Sequence, residues 1–236
     1  MNFSLMIESI LPILGGARLT ILLVTISLAM GFVLAIITAL IRRSRLTWPV
    51  RLVRLYVFAI RGTPLLVQIF LIYYGLGQFL WIRESFLWPV LEKPFWCAII
   101  ALTINTTAYG SEIIRGGLES VSWGEIEAAK SIGMSGFLMF HRVVFPIAIR
   151  QALPAYGNEV ILMVKATSLA STITIMEITG VANVIMAENY RPLEAFIVAG
   201  SFYLLINFVM TRIIQFFEWR LSGHLRPPEL SAVATH

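Results

Sequence analysis

The chain has 236 residues, of which 58% are hydrophobic and only 13% charged, with a formal net charge of +5. Its mean hydropathy is +0.83. A soluble core of this length cannot hide so much apolar surface, which excludes an ordinary soluble globular domain. The positive charge does not point to nucleic acid either. The basic residues cluster at the ends of apolar runs, where retention on the cytoplasmic side of a membrane accounts for them.

In chain order, Met1–Thr20 reads as a short amphipathic lead-in, broken by Pro12 and Gly15–Gly16 before the membrane, with no cleavable signal pattern. Leu19–Ile41 is then 23 residues without a charge, enough to cross about 30 Å of hydrocarbon. Arg42, Arg43, Arg45, Arg51 and Arg54 follow at once and mark a cytoplasmic loop, so the N-terminus lies outside. A second apolar segment, Leu55–Ile82, is interrupted by Arg61-Gly62-Thr63-Pro64. Proline leaves the carbonyl four residues earlier without its helical partner. Gly62 and Pro64 therefore make either a simple kink or a hinge. Pro94–Ser111 is a third uncharged stretch, in which Cys97 reads as a small core hydrophobe. It returns to the cytoplasm at Glu112–Arg115.

The insert 119–146 is too polar to be a span. Ser122 followed by Glu125 fits a capping box, and Gly133 supplies a helix stop. The expected helix between them either lies on the lipid surface or plugs into another protein. A fourth segment, Ala155–Met176, carries Asn158, Glu159 and Lys165. The loop Glu177–Glu194 has an apolar middle, Ile178–Met186, able to dip into the bilayer as a partial helix. The fifth segment is Ala195–Thr211, followed by Arg212, Arg220, Arg226 and a tail with Pro227-Pro228. This gives an all-α membrane protein of five spans, N-terminus outside and C-terminus inside. Thirteen of the 18 Lys and Arg then fall inside, four fall outside, and Lys165 lies within a span.

The parts of an enzyme site are missing. There is no GxxxxGK[ST] phosphate loop and no GxSxG elbow. The three histidines, His141, His224 and His236, are scattered, and no Cys/His cluster has metal-ligand spacing. Charges within spans are costly and usually face a bundle interior or an aqueous cavity. Glu159 is thus a candidate partner for a cationic solute, or one half of a structural ion pair. Lys165 sits about 120° from it round a helix, so the two need not pair. Asn158 and Lys165, seven apart, share a face, as do Asn105 and Glu112. Thr167 and Ser168 are candidates for the same pathway, and Glu112 also suits the inner water boundary.

Glu127-Ala128-Ala129, then Gly133, Val143 and Phe145-Pro146, resemble the EAA–G–I–LP signature of membrane subunits of ATP-binding-cassette (ABC) importers. Valine and phenylalanine stand for the usual isoleucine and leucine. Arg61-Gly62-Thr63-Pro64-Leu65 with Gln68, Phe70–Gly75, Asn158-Glu159-Val160-Ile161 and Thr167-Ser168-Leu169-Ala170 are similar to polar amino acid permeases of the histidine/arginine class, M-type. The resemblance runs from about Thr20 to Arg220. It implies a single permease domain, 1–236, of type I importer fold in a bacterial inner membrane. It further implies a Q-type permease partner, two copies of an ABC ATPase, a periplasmic amino-acid-binding protein, and a basic amino acid or arginine-derived opine as solute. This chain would hold no cofactor, with ATP and Mg on the ATPase. Glu125, Glu127, Ala128, Ala129, Gly133 and Pro146 would then couple to the ATPase. The competing expectation is a stand-alone channel or ion-coupled carrier, which has no need of a capped helix in a cytoplasmic loop.

Overall fold

The computed structural model describes residues 2–221, and every regular element among them is helical. The tail holding His224, Arg226, Pro227-Pro228 and His236 lies outside the described residues.

Helix α1 runs unbroken over Phe3–Arg43, about 60 Å at 1.5 Å per residue. Asn2 caps it by accepting from the Leu5 N–H, and Arg42 and Arg43 sit in its last turn, where cations complement the helix dipole. The expected break at Pro12 and Gly15–Gly16 does not occur. Pro12 costs one backbone bond, but Ile13 and Ala17 on the same stretch are buried against α10 (Ile178–Asn189) and α11 (Pro192–Leu221). Gly16 serves a close approach instead: a Cβ there would lie 2.9 Å from the Glu177 carbonyl carbon.

The second apolar segment is not one straight span. Helix α2 (Thr47–Arg61) meets α3 (Leu65–Phe70), which continues through a π turn and a 3-10 turn to Gln78, at a bend of 108°. Two short helices, α4 (Leu80–Arg83) and α5 (Trp88–Leu91), lead to α6 (Pro94–Glu119). Helix α6 extends past the expected end at Ser111, so Glu112 and Arg115 are helical. It is the central strut, packed against α1, α2, α3 and α9. Its face Cys97–Leu102 forms the main core with Leu23 and Val24 of α1, Ile69 of α3 and Met163 and Val164 of α9. Cys97 is buried, as a core hydrophobe would be, and its thiol donates to the Leu91 carbonyl at 3.0 Å.

After α6 come α7 (Trp123–Ser131) and α8 (Gly136–Met139). A π turn, Phe140–Val144, feeds α8 directly into α9 (Phe145–Ala166). A widened turn just before Pro146 lets the chain pass a proline without breaking the helix. Helix α9 ends in a 3-10 segment, Thr167–Ile173, and bends by 48° into α10. The partial helix expected at Ile178–Met186 is therefore present as α10, packed on α1 and α11. Three helices, α1, α6 and α11, are long and apolar enough to cross a membrane, and the count rises to five if each bent pair is one crossing.

Candidate functional site

The helix of the insert is built by the signals that were legible in its sequence. The Glu125 N–H donates to Ser122 Oγ at 3.3 Å, and the Ser122 N–H donates to Glu125 Oε2 at 3.0 Å, closing the capping box. At the other end Gly133 has φ +78°. The Met134 N–H reaches the Ala129 carbonyl at 3.1 Å and the Gly133 N–H reaches Lys130 at 2.9 Å, which is a Schellman stop. A fixed helix of fixed length results. Glu125, Glu127 and Ala128 are exposed, but Ala129 is 4% exposed and faces its own chain. Of the two alanines only Ala128 is open to contact from outside the chain. Sequence reasoning missed the apolar flanks: Trp123, Ile132 and Phe137 are 76%, 73% and 80% exposed.

This helix is tied to the bundle from both sides. Only Ser120–Ser122 separates it from α6, and α8 runs on through the π turn, with Pro146 half-buried, into α9. Helices α6 and α9 are themselves in backbone contact there, since a Cβ on Gly117 would lie 2.6 Å from the Ala148 carbonyl oxygen.

At Gly62-Thr63-Pro64 the chain turns a corner. Pro64 has no N–H for the Ile60 carbonyl, and the Gln68 side chain supplies it, with Nε2 donating to Ile60 O at 2.8 Å. The same amide reaches Thr63 O at 3.1 Å and Thr63 Oγ1 at 2.9 Å. The Thr63 hydroxyl in turn donates to Ala59 O at 2.8 Å. Asn105 of α6 donates to Gln68 Oε1 at 3.0 Å, anchoring the corner to the central strut. Gly62 and Pro64 therefore form a braced corner rather than a plain kink, and Gln68 is its keystone. Asn105, expected in a solute pathway, spends its amide on that brace. The signal for Gln68 was its spacing, four residues past the proline.

The polar residues of α9 separate onto two faces. Glu159 is 7% exposed and turns inward, facing Thr106 of α6 and within electrostatic reach of Arg61. Asn158 and Lys165 are both exposed, on the same face as spacing required, together with Gln151, Ala155 and Leu162. Ser168 is half-buried beyond them. Thr167 differs from expectation. It is fully buried, with its hydroxyl donating to Val164 O at 2.7 Å, on the inward side of this chain rather than on the exposed stripe.

Two further polar clusters brace the bundle. Glu112 accepts ion pairs from Arg42 of α1 and from Arg115 at 2.7 Å, and Arg115 also pairs with Glu119. Glu112 is thus held by arginines of two helices at the edge of a cavity of about 430 Å³ that also includes Arg54, Arg61 and Tyr109. Glu177 was read only as the start of a loop, yet it is fully buried. It caps α10 by accepting from the Gly180 N–H at 2.9 Å, and accepts from the Tyr203 hydroxyl of α11 at 2.6 Å. Thr20 of α1 completes this group at 3.5 Å. Nothing in a sequence-local pattern pairs Glu177 with residues this remote.

The described residues form a helical bundle with a capped, outward-facing helix hung between two core helices. Comparison with known proteins places the chain among transport subunits rather than enzymes. Residues 31–223 match the model of the binding-protein-dependent transport system inner membrane component, and the chain belongs to that family of ABC importer permeases. It is 55% identical to the nopaline transport system permease protein NocM of Agrobacterium fabrum, covering 96% of this chain and 94% of that one. It is 38% identical to the histidine/lysine/arginine/ornithine transport system permease protein HisM of Escherichia coli K12, covering 90% of each. Its fold superposes on the crystal structure of an amino acid ABC transporter with histidines at a TM-score of 0.83 and 32% identity, over 93% of this chain and 99% of that one. A methionine ABC transporter, MetNI in its inward facing form, shares the fold alone, at a TM-score of 0.64 and 12% identity.

Proposed function

We propose that this chain forms one half of the translocation pathway of a bacterial inner-membrane importer for basic amino acids or arginine-derived opines. The observation that carries the reading is α7: a helix capped at both ends, presenting Glu125, Glu127 and Ala128 outward, and continuous with the core through α8 and α9. Such a lever suits docking on a separate ATPase, which would bind ATP and Mg. A stand-alone carrier has no use for it. The charge distribution favours five crossings with the insert on the cytoplasmic side. The exposed stripe with Asn158 and Lys165 favours a second permease, because amide and ammonium groups facing lipid are costly. A periplasmic binding protein would deliver the solute. The NocM and HisM likenesses favour a solute with a cationic side chain. Glu159 is the natural partner for that cation, buried beside Thr106.

In this mechanism ATP closes the ATPase dimer and draws the coupling helices together. The backbone contact at Gly117 passes that displacement to α6 and α9 as one body. No covalent step occurs on this chain.

The test uses the complete transporter in proteoliposomes. Gly133→Asp places a side chain at φ +78°, which costs a non-glycine residue about 1 kcal/mol and redirects the chain after α7. Hydrolysis continuing without uptake is expected, in an assembled complex. Full uptake would overturn the coupling role. Glu159→Gln is expected to raise the solute concentration needed for half-maximal uptake at least about tenfold, the effect of roughly 1.4 kcal/mol. Unchanged uptake kinetics would remove Glu159 from the solute site.

A further inference from the structure

Helices α1, α6 and α9 leave an outward groove of about 420 Å³ between them. Its walls include Phe32 and Ile36 of α1, Ile114 and Leu118 of α6, and Ile149 and Ala152 of α9. The edge-on contact of Phe32 with Tyr156, ring centres 5.3 Å apart, lies at one end. At the other end Leu118 is shared with a second cavity of about 340 Å³, lined by Arg43, Arg115, Glu119, Trp123 and Ile126. An apolar groove thus lies next to a charged mouth beside α7, with Leu118 in the wall of both.

The charges of that mouth do not balance. Its wall carries Arg43, Arg115 and Glu119, and Arg115 pairs with Glu119 and with Glu112, which also holds Arg42. Among the described residues Arg43 has no carboxylate within ion-pair distance. One cationic charge is left over, on an exposed guanidinium at the end of a spanning helix. Arg43 is also seven residues beyond Ile36, so it projects from the same face of α1 about 10 Å further along. Trp123, 76% exposed at the rim, has the amphipathic ring favoured at a membrane interface.

We propose that this groove holds an acyl chain of an anionic phospholipid from the cytoplasmic leaflet, with its phosphate bound by Arg43. The proposal rests on the cytoplasmic placement of α7 put forward above. A guanidinium fork suits a phosphodiester through charge-assisted hydrogen bonds, and the anion supplies the charge that the mouth lacks. Because Trp123 and Ile126 line the same cavity, the bound headgroup sets the posture of the coupling helix. Transport by the assembled importer therefore depends on anionic lipid.

The experiment uses the complete transporter in nanodiscs of phosphatidylcholine, with or without phosphatidylglycerol. Phosphatidylglycerol retention is measured by native mass spectrometry, and solute-stimulated ATP hydrolysis in parallel. Phosphatidylglycerol is expected to stay bound and to raise hydrolysis. Arg43→Gln is expected to weaken retention about fivefold, the loss of one arginine near an anionic surface. Ile149→Trp, at a position exposed in the groove, fills the acyl channel and is expected to abolish the same retention without touching the charges. Equal retention by both variants and the unaltered protein would overturn the proposal. So would equal hydrolysis in neutral and anionic discs, or a cross-link from Ile149→Cys to the second permease, which would make the groove a subunit interface. A complex without solute-stimulated hydrolysis in any lipid would refute the importer reading instead, and lipid retention would still decide this one.

Discussion

Replacing Gln68 by leucine tests the braced corner. Leucine keeps the bulk of the buried side chain but removes both its amide and its carbonyl. The Ile60 carbonyl then loses its 2.8 Å donor and keeps only the Thr63 hydroxyl at 3.5 Å, with no N–H on Pro64 to help. The exposed Thr63 carbonyl exchanges its 3.1 Å donor for water. Asn105 loses its acceptor at 3.0 Å. Thr63 Oγ1 keeps its bond to Ala59, so it is only partly affected. The weakened acceptor at Ile60 and the orphaned donor on Asn105 cost roughly 1–3 kcal/mol each. Ile60 and Asn105 are only half-buried, which places the total near the lower end, about 2–4 kcal/mol. The purified complex should melt at a lower temperature, and the loss should appear first in uptake, because the corner sets where α3 leaves α2. Asn105→Val serves as the second arm. The two residues share one hydrogen bond, so the double variant should lose clearly less than the sum of the single losses. Unchanged melting and uptake in Gln68→Leu, or additive losses in the double variant, would refute the bracing argument.

Gly117→Ala should cost about 1–3 kcal/mol through overpacking, since the new methyl would sit 2.6 Å from the Ala148 carbonyl oxygen and 2.9 Å from the Ala152 Cβ; the expected signature is a lower melting temperature with fewer solutes moved per ATP. Tyr203→Phe removes the 2.6 Å bond to the buried Glu177 carboxyl and should destabilise by about 1–3 kcal/mol. Its effect should be read as increased proteolysis at the α10–α11 junction, with solute affinity unaltered in the surviving complex. A stability equal to that of the unaltered protein would show that this network does not hold α1, α10 and α11 together.

Local chemistry was legible from the sequence because its determinants lie within a few residues of each other. Ser122, Glu125 and Gly133 specify α7 through backbone hydrogen bonds that span three to five residues, and no distant contact is needed to read them. The 3.6-residue repeat likewise placed Asn158 and Lys165 on one face of α9. Pro64 announced an interruption, because the loss of its N–H is a covalent fact.

What a single chain's pattern cannot carry is the identity of the remote partner. Pro12 and Gly16 look like breakers in isolation. In the fold Gly16 is small because the Glu177 backbone lies against it, and burial of Ile13 and Ala17 offsets the proline. The interruption at Pro64 is a 108° corner in which Gln68 re-satisfies the Ile60 carbonyl and is itself held by Asn105 from another helix. Glu177 became a buried hub for the same reason: hydrogen bonds in an apolar interior must be completed by whatever helix packs alongside. Composition and charge asymmetry therefore determined a membrane protein of several spans, and the resemblance carried by Glu127-Ala128-Ala129, Gly133 and Pro146 supplied its class. Only the packing of α1, α6, α9 and α11 decided which of its polar residues are braces and which face outward.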